Sequence, residues 1–447
     1  MGLDQETLFI VKEYIREHQE YINEQLEAQR YYENKALPKG MNHDFLSLLV
    51  DEKIDYLLGK EPTLECKNKA YLDATKEILG QEYLYDLQEL AREASIKRIA
   101  WWQSYVDENG LHFEIIPSEE VIPVWHDKRH RELDMLIRRY PIEEYKGTHK
   151  ETIWKVEIYT KEYAYFYEER SGNLILDVQK YIDLNIPDDQ EASHFYINGQ
   201  GYNMGRVPFA WCKNNPTEKS DLDKVKDLID AYNNNRMRLD DMLEDFKNWI
   251  VAIKNYEHDE ENINVFEEMM RRRYIFTDGD GGADILTPNI DTTANDSHNQ
   301  QIKDDIILFG QSVDKNKMLS GNAASGVALK FLYAGLDLKC NAIEREINKC
   351  FNMVEWFIRE YLKLLKVKVS DTDYITIIFN RDVSINEEAA INMCKASVGV
   401  ISDKTIVANH PWVQDADEEM KQLEEENKSD LEYIRKSMVG GSNGEQE

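Results

Sequence analysis

The chain has 447 residues, 42% of them hydrophobic and 31% charged, which is enough for two to four domains with packed interiors. Its 54 Lys and Arg stand against 85 Asp and Glu, for a net charge of −31. That balance argues against tight non-specific binding to nucleic acid through clustered cations, and against membrane attachment through basic residues. No apolar run reaches the ~20 residues of a membrane span. The opening MGLDQET has neither the basic flank nor the apolar core of a signal peptide, and Glu6 stands where a myristoylation signal needs Ser or Thr. Five cysteines, Cys66, Cys212, Cys340, Cys350 and Cys394, form no CxxC; the odd count fits a reducing compartment without a disulfide framework.

In chain order, residues 4–33 read as one helix, with Leu8, Val11, Ile15, Ile22 and Leu26 on a stripe. LPKGMNHD (37–44) breaks it. A second helix is expected over 44–58, ended by Gly59 and Pro62, and two more over 68–79 and 81–98. From 101 to 210 the pattern alternates and is rich in Tyr, Trp, Ile and Val. Asn109-Gly110 and Ser171-Gly172-Asn173 mark hairpin turns. Trp154, Val156 and Ile158 share one face of a strand and Lys155, Glu157 and Tyr159 the other, so a β-meander with one wet face is expected.

Helical period returns at 220. Ser220 and Asp223 make a capping-box-like start, and Leu222, Val225, Ile229, Tyr232, Leu239, Met242 and Phe246 follow at helical spacing to about 250. A short acidic helix and two strands around Asp278-Gly279-Asp280-Gly281-Gly282 come next, and 297–313 is again helical. KNKMLSGNAASG (315–326) is small, polar and helix-breaking, a loop. Ile343, Ile347, Phe351, Val354, Ile358, Tyr361 and Leu365 then mark a helix of about 40 residues, roughly 60 Å long. Strands VKVS and YITIIFN follow, then two short helices within 385–410, the second capped by Ser402. Residues 411–432 carry nine acids against two lysines, and GGSNGEQE (440–447) reads as a flexible tail. The fold class is α+β, mainly helical, with a β-rich meander and one very long helix.

The chemistry-bearing motifs are sparse. There is no GxxxxGK[ST] for a nucleoside triphosphate, no HExxH and no GxSxG. His126 and His130 stand four apart, as helix-borne metal ligands would, but VWHDKRHREL lies in the strand-rich region, so two surface histidines are preferred. Asp278, Asp280 and Asp284 resemble part of a calcium loop without its closing bidentate Glu, and a Gly-rich turn is preferred. Arg271, Arg272 and Arg273 read either as a basic helix end or as a partner contact. Clustered carboxylates leave a metal-dependent nuclease or phosphohydrolase as the alternative function. No catalytic residue, metal site or cofactor is expected.

Five segments in order carry a resemblance: MNHDFLSLLVDEKIDYLLGKEP (41–62), AREASIKRIAWWQSYVDENG (91–110), GRVPFAWCKNN (205–215) leading into SDLDKVKDLIDAYN (220–233), LSGNAASGVALKFLYAGLDLKCNAIE (319–344) and GVISDKTIVANHPWVQDADEEMKQLEEE (399–426). Together they resemble the portal proteins of tailed bacteriophages, in the family named after phage SPP1. Two departures stand out: Glu61 is inserted before Pro62, and Lys97 stands where the family often has Gly.

The resemblance implies a ring, usually of twelve subunits, at one capsid vertex, through which double-stranded DNA is packaged and ejected. It implies a wing over 1–219 and 327–385, stem helices over 220–248 and 293–313, a clip over 249–292, a tunnel loop over 314–326, and a crown with its acidic tail over 386–447. It places Lys315, Asn316, Lys317, Met318, Leu319 and Ser320 toward DNA. It makes Arg271, Arg272 and Arg273 contacts to partners or neighbouring subunits, and Asp240, Asp241 and Glu244 candidate channel-lining acids. The implied partners are terminase, a head–tail adaptor, and the major capsid and scaffolding proteins. The implied location is the virion's portal vertex, after assembly in the bacterial cytoplasm, with no membrane and no enzymatic activity.

Overall fold

The computed structural model describes residues 2–37, 40–147, 149–187, 190–245, 250–254, 271, 282–286, 292–314, 326–370, 372–381, 387–413, 416, 418–426 and 428. The chain divides into two units. The first is Met1–Val313 with Gly335–Arg381; the second is Asp314–Ala334 with Asp382–Glu447.

The first unit opens with two helices rather than one, α1 (Gln5–Glu17) and α2 (Gln19–Tyr32). Asp4 caps α1 by accepting from the Thr7 amide. His18 interrupts the run: its amide turns back onto the Tyr14 and Arg16 carbonyls, and its imidazole stacks near Tyr21. Helices α3 (Phe45–Leu58), α4 (Lys69–Leu79) and α5 (Tyr83–Lys97) lie where the periodicity expects them.

Strands β2 (Ile99–Asp107) and β3 (Gly110–Ile116) form the first expected hairpin, joined in one sheet by β11 (Phe209–Lys213). Strands β4 (Val121–Trp125), β5 (Leu133–Lys146), β6 (His149–Thr160), β7 (Ala164–Arg170) and β8 (Asn173–Leu176) form a five-stranded antiparallel sheet in sequence order. Ser171 and Gly172 turn its last hairpin, both with φ in the left-handed region, the geometry that a two-residue turn between twisted strands requires.

The expected wet face of this meander is absent in the sheet's central part. Val156 and Ile158 pack with Ile137, Tyr165 and Val11 of α1. The opposite face, which carries Tyr159, packs with Phe166, Tyr181, Phe209 and Trp101, so the three-stranded sheet covers it. The reason lies in the first helix: Leu8, Val11 and Ile15 need a surface to cover, and the sheet is that surface. Glu157 is buried on the second face and accepts from the hydroxyls of Tyr140 (3.0 Å) and Tyr159 (2.8 Å).

Past a short 3₁₀ turn, α7 (Lys226–Asp245) leads toward β12 (Ile250–Lys254). β12 pairs antiparallel with β13 (Gly282–Leu286). β13 is one of the two strands expected around the Asp278–Gly282 turn; the segment just before Asp278 lies outside the described residues. The alternation in IVAIK, adjoining a helical stripe, had concealed a strand. Helix α8 (Thr292–Phe309) packs against α7 and starts earlier than expected. Helix α9 (Gly326–Leu364) has 39 residues, and its stripe from Ile343 to Tyr361 is buried as expected; Leu365 falls beyond its end and is exposed. Residues 367–370 are not a strand. β14 (Thr376–Ile378) is, and it pairs with the distant β1 (Thr63–Glu65).

In the second unit, α10 (Glu387–Ala396) and α11 (Asp403–Ala408) are the two expected short helices. Ser402 caps α11 by accepting from the Thr405 amide. Val398, Val400, Ile401 and Trp412 are exposed. The five cysteines are free thiols, and Cys212, Cys340 and Cys350 are buried. Among the described residues no helix is long and apolar enough to cross a membrane.

Candidate functional site: the roots of a helical hairpin

Helices α7 and α8 form a pair that shares a narrow apolar seam. Ile229 and Leu239 are buried on α7, and Ile302 and Ile306 on α8. Asn233 on α7 and Asn299 on α8 are buried too, and the Asn233 side-chain oxygen meets the His43 ring at 2.7 Å. Asp240, Asp241 and Glu244 all lie on α7 and are exposed. The spacing 240, 241, 244 puts the three carboxylates on one side of the helix.

Before α7, the expected capping box appears one element early. The Ser220 hydroxyl accepts from the Leu222 amide (3.0 Å), and the Asp223 carboxylate accepts from the Ser220 amide (3.0 Å). This pair closes the 3₁₀ turn that precedes α7, not α7 itself.

The ends of the hairpin converge on a buried ionic cluster. Asp221, one residue into that turn, receives the Lys53 ammonium at 2.7 Å and the Lys339 ammonium at 3.0 Å. The Asn214 amide donates to its second oxygen at 2.9 Å, and Lys53 also donates to the Asn214 carbonyl oxygen at 2.8 Å. Lys53 comes from α3 and Lys339 from α9, both buried on apolar stripes. Burial without charge compensation would neutralise such groups. Burial pushes Lys53 down to about 8, with Asp221 opposing the fall. For Asp221 burial pushes upward, but the two ammoniums prevail and hold the carboxyl well below its usual range. One carboxylate serving two ammoniums leaves a net positive charge, relieved by carbonyls: Lys339 also donates to the Gly310 carbonyl at 3.0 Å.

Reading the sequence alone missed Lys53, Asp221 and Lys339. A signal existed: in α3, Leu46, Leu49, Val50, Lys53, Ile54 and Leu57 make one stripe, and a lysine on such a stripe needs a buried partner.

The other expected site residues fall as follows. Arg271 is helical and exposed, while Arg272 and Arg273 lie outside the described residues. Lys315, Asn316, Lys317, Met318, Leu319 and Ser320 also lie outside them, as do Asp278 and Asp280. Asp284 lies on β13, opposite Ala252. His126 and His130 do not converge. The first meets Asp134 at 3.0 Å; the second meets Glu218 at 2.8 Å and stacks on Trp125 with ring centroids 4.7 Å apart. Among the described residues no three His, Cys, Asp or Glu side chains group as metal ligands would.

The family model described as phage portal protein, SPP1 Gp6-like, matches residues 11–433. The portal protein of Bacillus phage SPP1 is 33% identical over 390 residues, covering 86% of this chain and 75% of that protein. The portal protein of Clostridium phage phiCD119 is 29% identical over 440 residues, covering 90% and 92%. Among solved structures, a chain of the neck of a native gene transfer agent particle, computed with C12 symmetry, aligns with a TM-score of 0.45 and 12% identity over 87% of this chain and 93% of that one. A chain of the native gene transfer agent virion aligns with a TM-score of 0.44 and 10% identity, over 86% and 97%. The family match takes in α7 and α8, the buried cluster and the long helix, and the chain belongs to the SPP1 Gp6-like family of phage portal proteins.

Proposed function

We propose that identical copies of this chain close into a ring, of twelve subunits, at one capsid vertex, and that double-stranded DNA passes through its centre during packaging and ejection. The observation that carries this reading is the family match from residue 11 to 433, which leaves no major element outside it. In this reading 1–219 and 327–385 are the wing, α7 and α8 the stem, 249–292 the clip, 314–326 a DNA-facing tunnel loop, and 386–447 the crown. The ring is structural. Terminase supplies the energy and docks, with the head–tail adaptor, at the clip, where Arg271, Arg272 and Arg273 contact partners or neighbouring subunits. Capsid and scaffolding proteins surround the wing, and assembly takes place in the bacterial cytoplasm. The nuclease alternative finds no support in the relatives.

The charge suits a conduit. Twelve chains carry about −370 charges, and a wall of that sign offers few cations to replace the counterions condensed on DNA. Asp240, Asp241 and Glu244, exposed together on α7, are the acids this reading assigns to the channel. The first test is mass and image: the purified protein should form a perforated particle of about twelve chain masses, and monomers or dimers under all conditions would refute the ring. The second replaces the three acids with Lys. Rings should still form, but DNA passage should slow at low salt and recover as salt screens the added charge; unchanged packaging at every salt concentration would remove the electrostatic role.

A further inference from the structure

Between the end of α8 and the second unit run four residues without regular structure, Gly310 to Val313, and every one of them is tied to a distant element. The Gly310 carbonyl accepts from Lys339 of α9 at 3.0 Å. The Gln311 side chain accepts from Lys224, just before α7, at 2.9 Å. The Ser312 hydroxyl donates to Glu52 of α3, and the Val313 amide donates to the same Glu52 oxygen at 3.1 Å. Gly310 is closed in as well, since a Cβ there would lie 2.7 Å from a Leu49 methyl. Gln311 adopts φ +56°, a left-handed conformation uncommon for a side-chain-bearing residue. The left-handed Gln311 belongs to an ordinary helix C-cap, in which the Ser312 amide donates to the Ile307 carbonyl and the Gln311 amide to the Leu308 carbonyl, but that cap needs none of the side-chain ties. Helix C-termini leave carbonyls to satisfy, but water serves on an exposed end. Here three elements hold four consecutive residues, and the last hold, on Ser312 and Val313, comes from one carboxylate.

We propose that Glu52 is the positioning residue for Ser312 and Val313, the residues from which the next segment starts. It fixes the point at which the chain leaves the first unit, while its neighbour Lys53 fixes Asp221 at the 3₁₀ turn before α7. One helix, α3, thus grips both roots of the hairpin through adjacent residues. The functional consequence rests on the reading of 314–326 as a DNA-facing loop: a loop with a fixed root keeps its register around the ring, and one with a loosened root does not.

The test uses the full chain in a background with Cys66 and Cys394 replaced by serine, a nitroxide at Lys317→Cys, and a second, separate label at Asp241→Cys. Glu52→Ala should shorten the correlation time at 317 by about twofold or more, as expected when a local tether is lost, and leave that at 241 unchanged. Glu52→Gln keeps an oxygen able to accept both bonds and should restore the wild-type spectrum. Ser312→Ala breaks the same tie from the other side and serves if Glu52→Ala does not fold. An unchanged spectrum at 317, or an equal change at 241, overturns the proposal. Packaging is measured in parallel. If mobility at 317 rises and packaging does not fall, the positioning role stands and the DNA-facing reading of the loop fails; deletion of 316–322 that leaves packaging normal says the same independently.

Discussion

Asp221→Asn is the most informative single change. The substitution keeps shape and most hydrogen-bonding capacity but removes the carboxylate that faces both Lys53 (2.7 Å) and Lys339 (3.0 Å). Removing one partner of a buried pair costs about 3–5 kcal/mol, because the remaining charge is stranded. An upper bound follows from proton release. A lysine that titrates at 10.5 in the unfolded chain can become neutral at pH 7 for about 5 kcal/mol, so neither ammonium can cost more. For a unit of about 360 residues, 3–5 kcal/mol lowers Tm by roughly 4–7 °C. The pH dependence carries the signature. With its carboxylate gone, Lys53 titrates below its present value near 8, and the folded protein then binds fewer protons than the unfolded chain across the range up to 10.5. Stability of the variant should therefore rise relative to wild type as pH increases from 7 toward 9. Urea denaturation followed by tryptophan fluorescence, at pH 7 and pH 9, measures both. Replacing Lys53 with Met in the same chain should recover part of the loss. A loss below about 1 kcal/mol with no pH dependence would show that Asp221 does not compensate buried charge.

Two further outcomes follow from packing and protonation. Gly310→Ala places a methyl 2.7–2.8 Å from both Leu49 methyls and 2.6 Å from the Ile306 carbonyl oxygen, and should cost about 1–3 kcal/mol in denaturant midpoint. His18 is held neutral by burial, its pKa pushed down to about 4 from 6.5, and its Nε2 has no hydrogen-bond partner among the described residues. Between those values the unfolded chain binds the extra proton, so stability falls as pH drops; at pH 5 this group alone removes about 2 kcal/mol, and His18→Gln should abolish that part of the acid sensitivity in midpoints compared at pH 7 and 5.

Much of the secondary structure was legible because its periods are strong. The stripe from Ile343 to Tyr361 faces one buried surface, so pattern and packing coincide there; the alternation around Val156 marked a strand but not its burial, since both of its faces are covered. Legibility failed where one residue or a distant partner decides. His18 splits a continuous apolar stripe without Gly or Pro to announce it. The segment 250–254 is a strand because 282–286 lies beside it, and 376–378 because 63–65 does, whereas 367–370 has no such neighbour among the described residues and is not one.

The resemblance in five ordered segments identifies the family from the sequence alone, because ordered matches over a long chain do not depend on knowing contacts. Tertiary structure alone decided the two features that bear most on how the hairpin is held. Local sequence determines periodicity, caps and turns, since these involve residues within a few positions of each other. Lys53, Asp221 and Lys339 are separated by more than a hundred residues at each step, and so are Glu52 and Ser312; burial of a charge becomes tolerable only when folding brings its counter-charge to it.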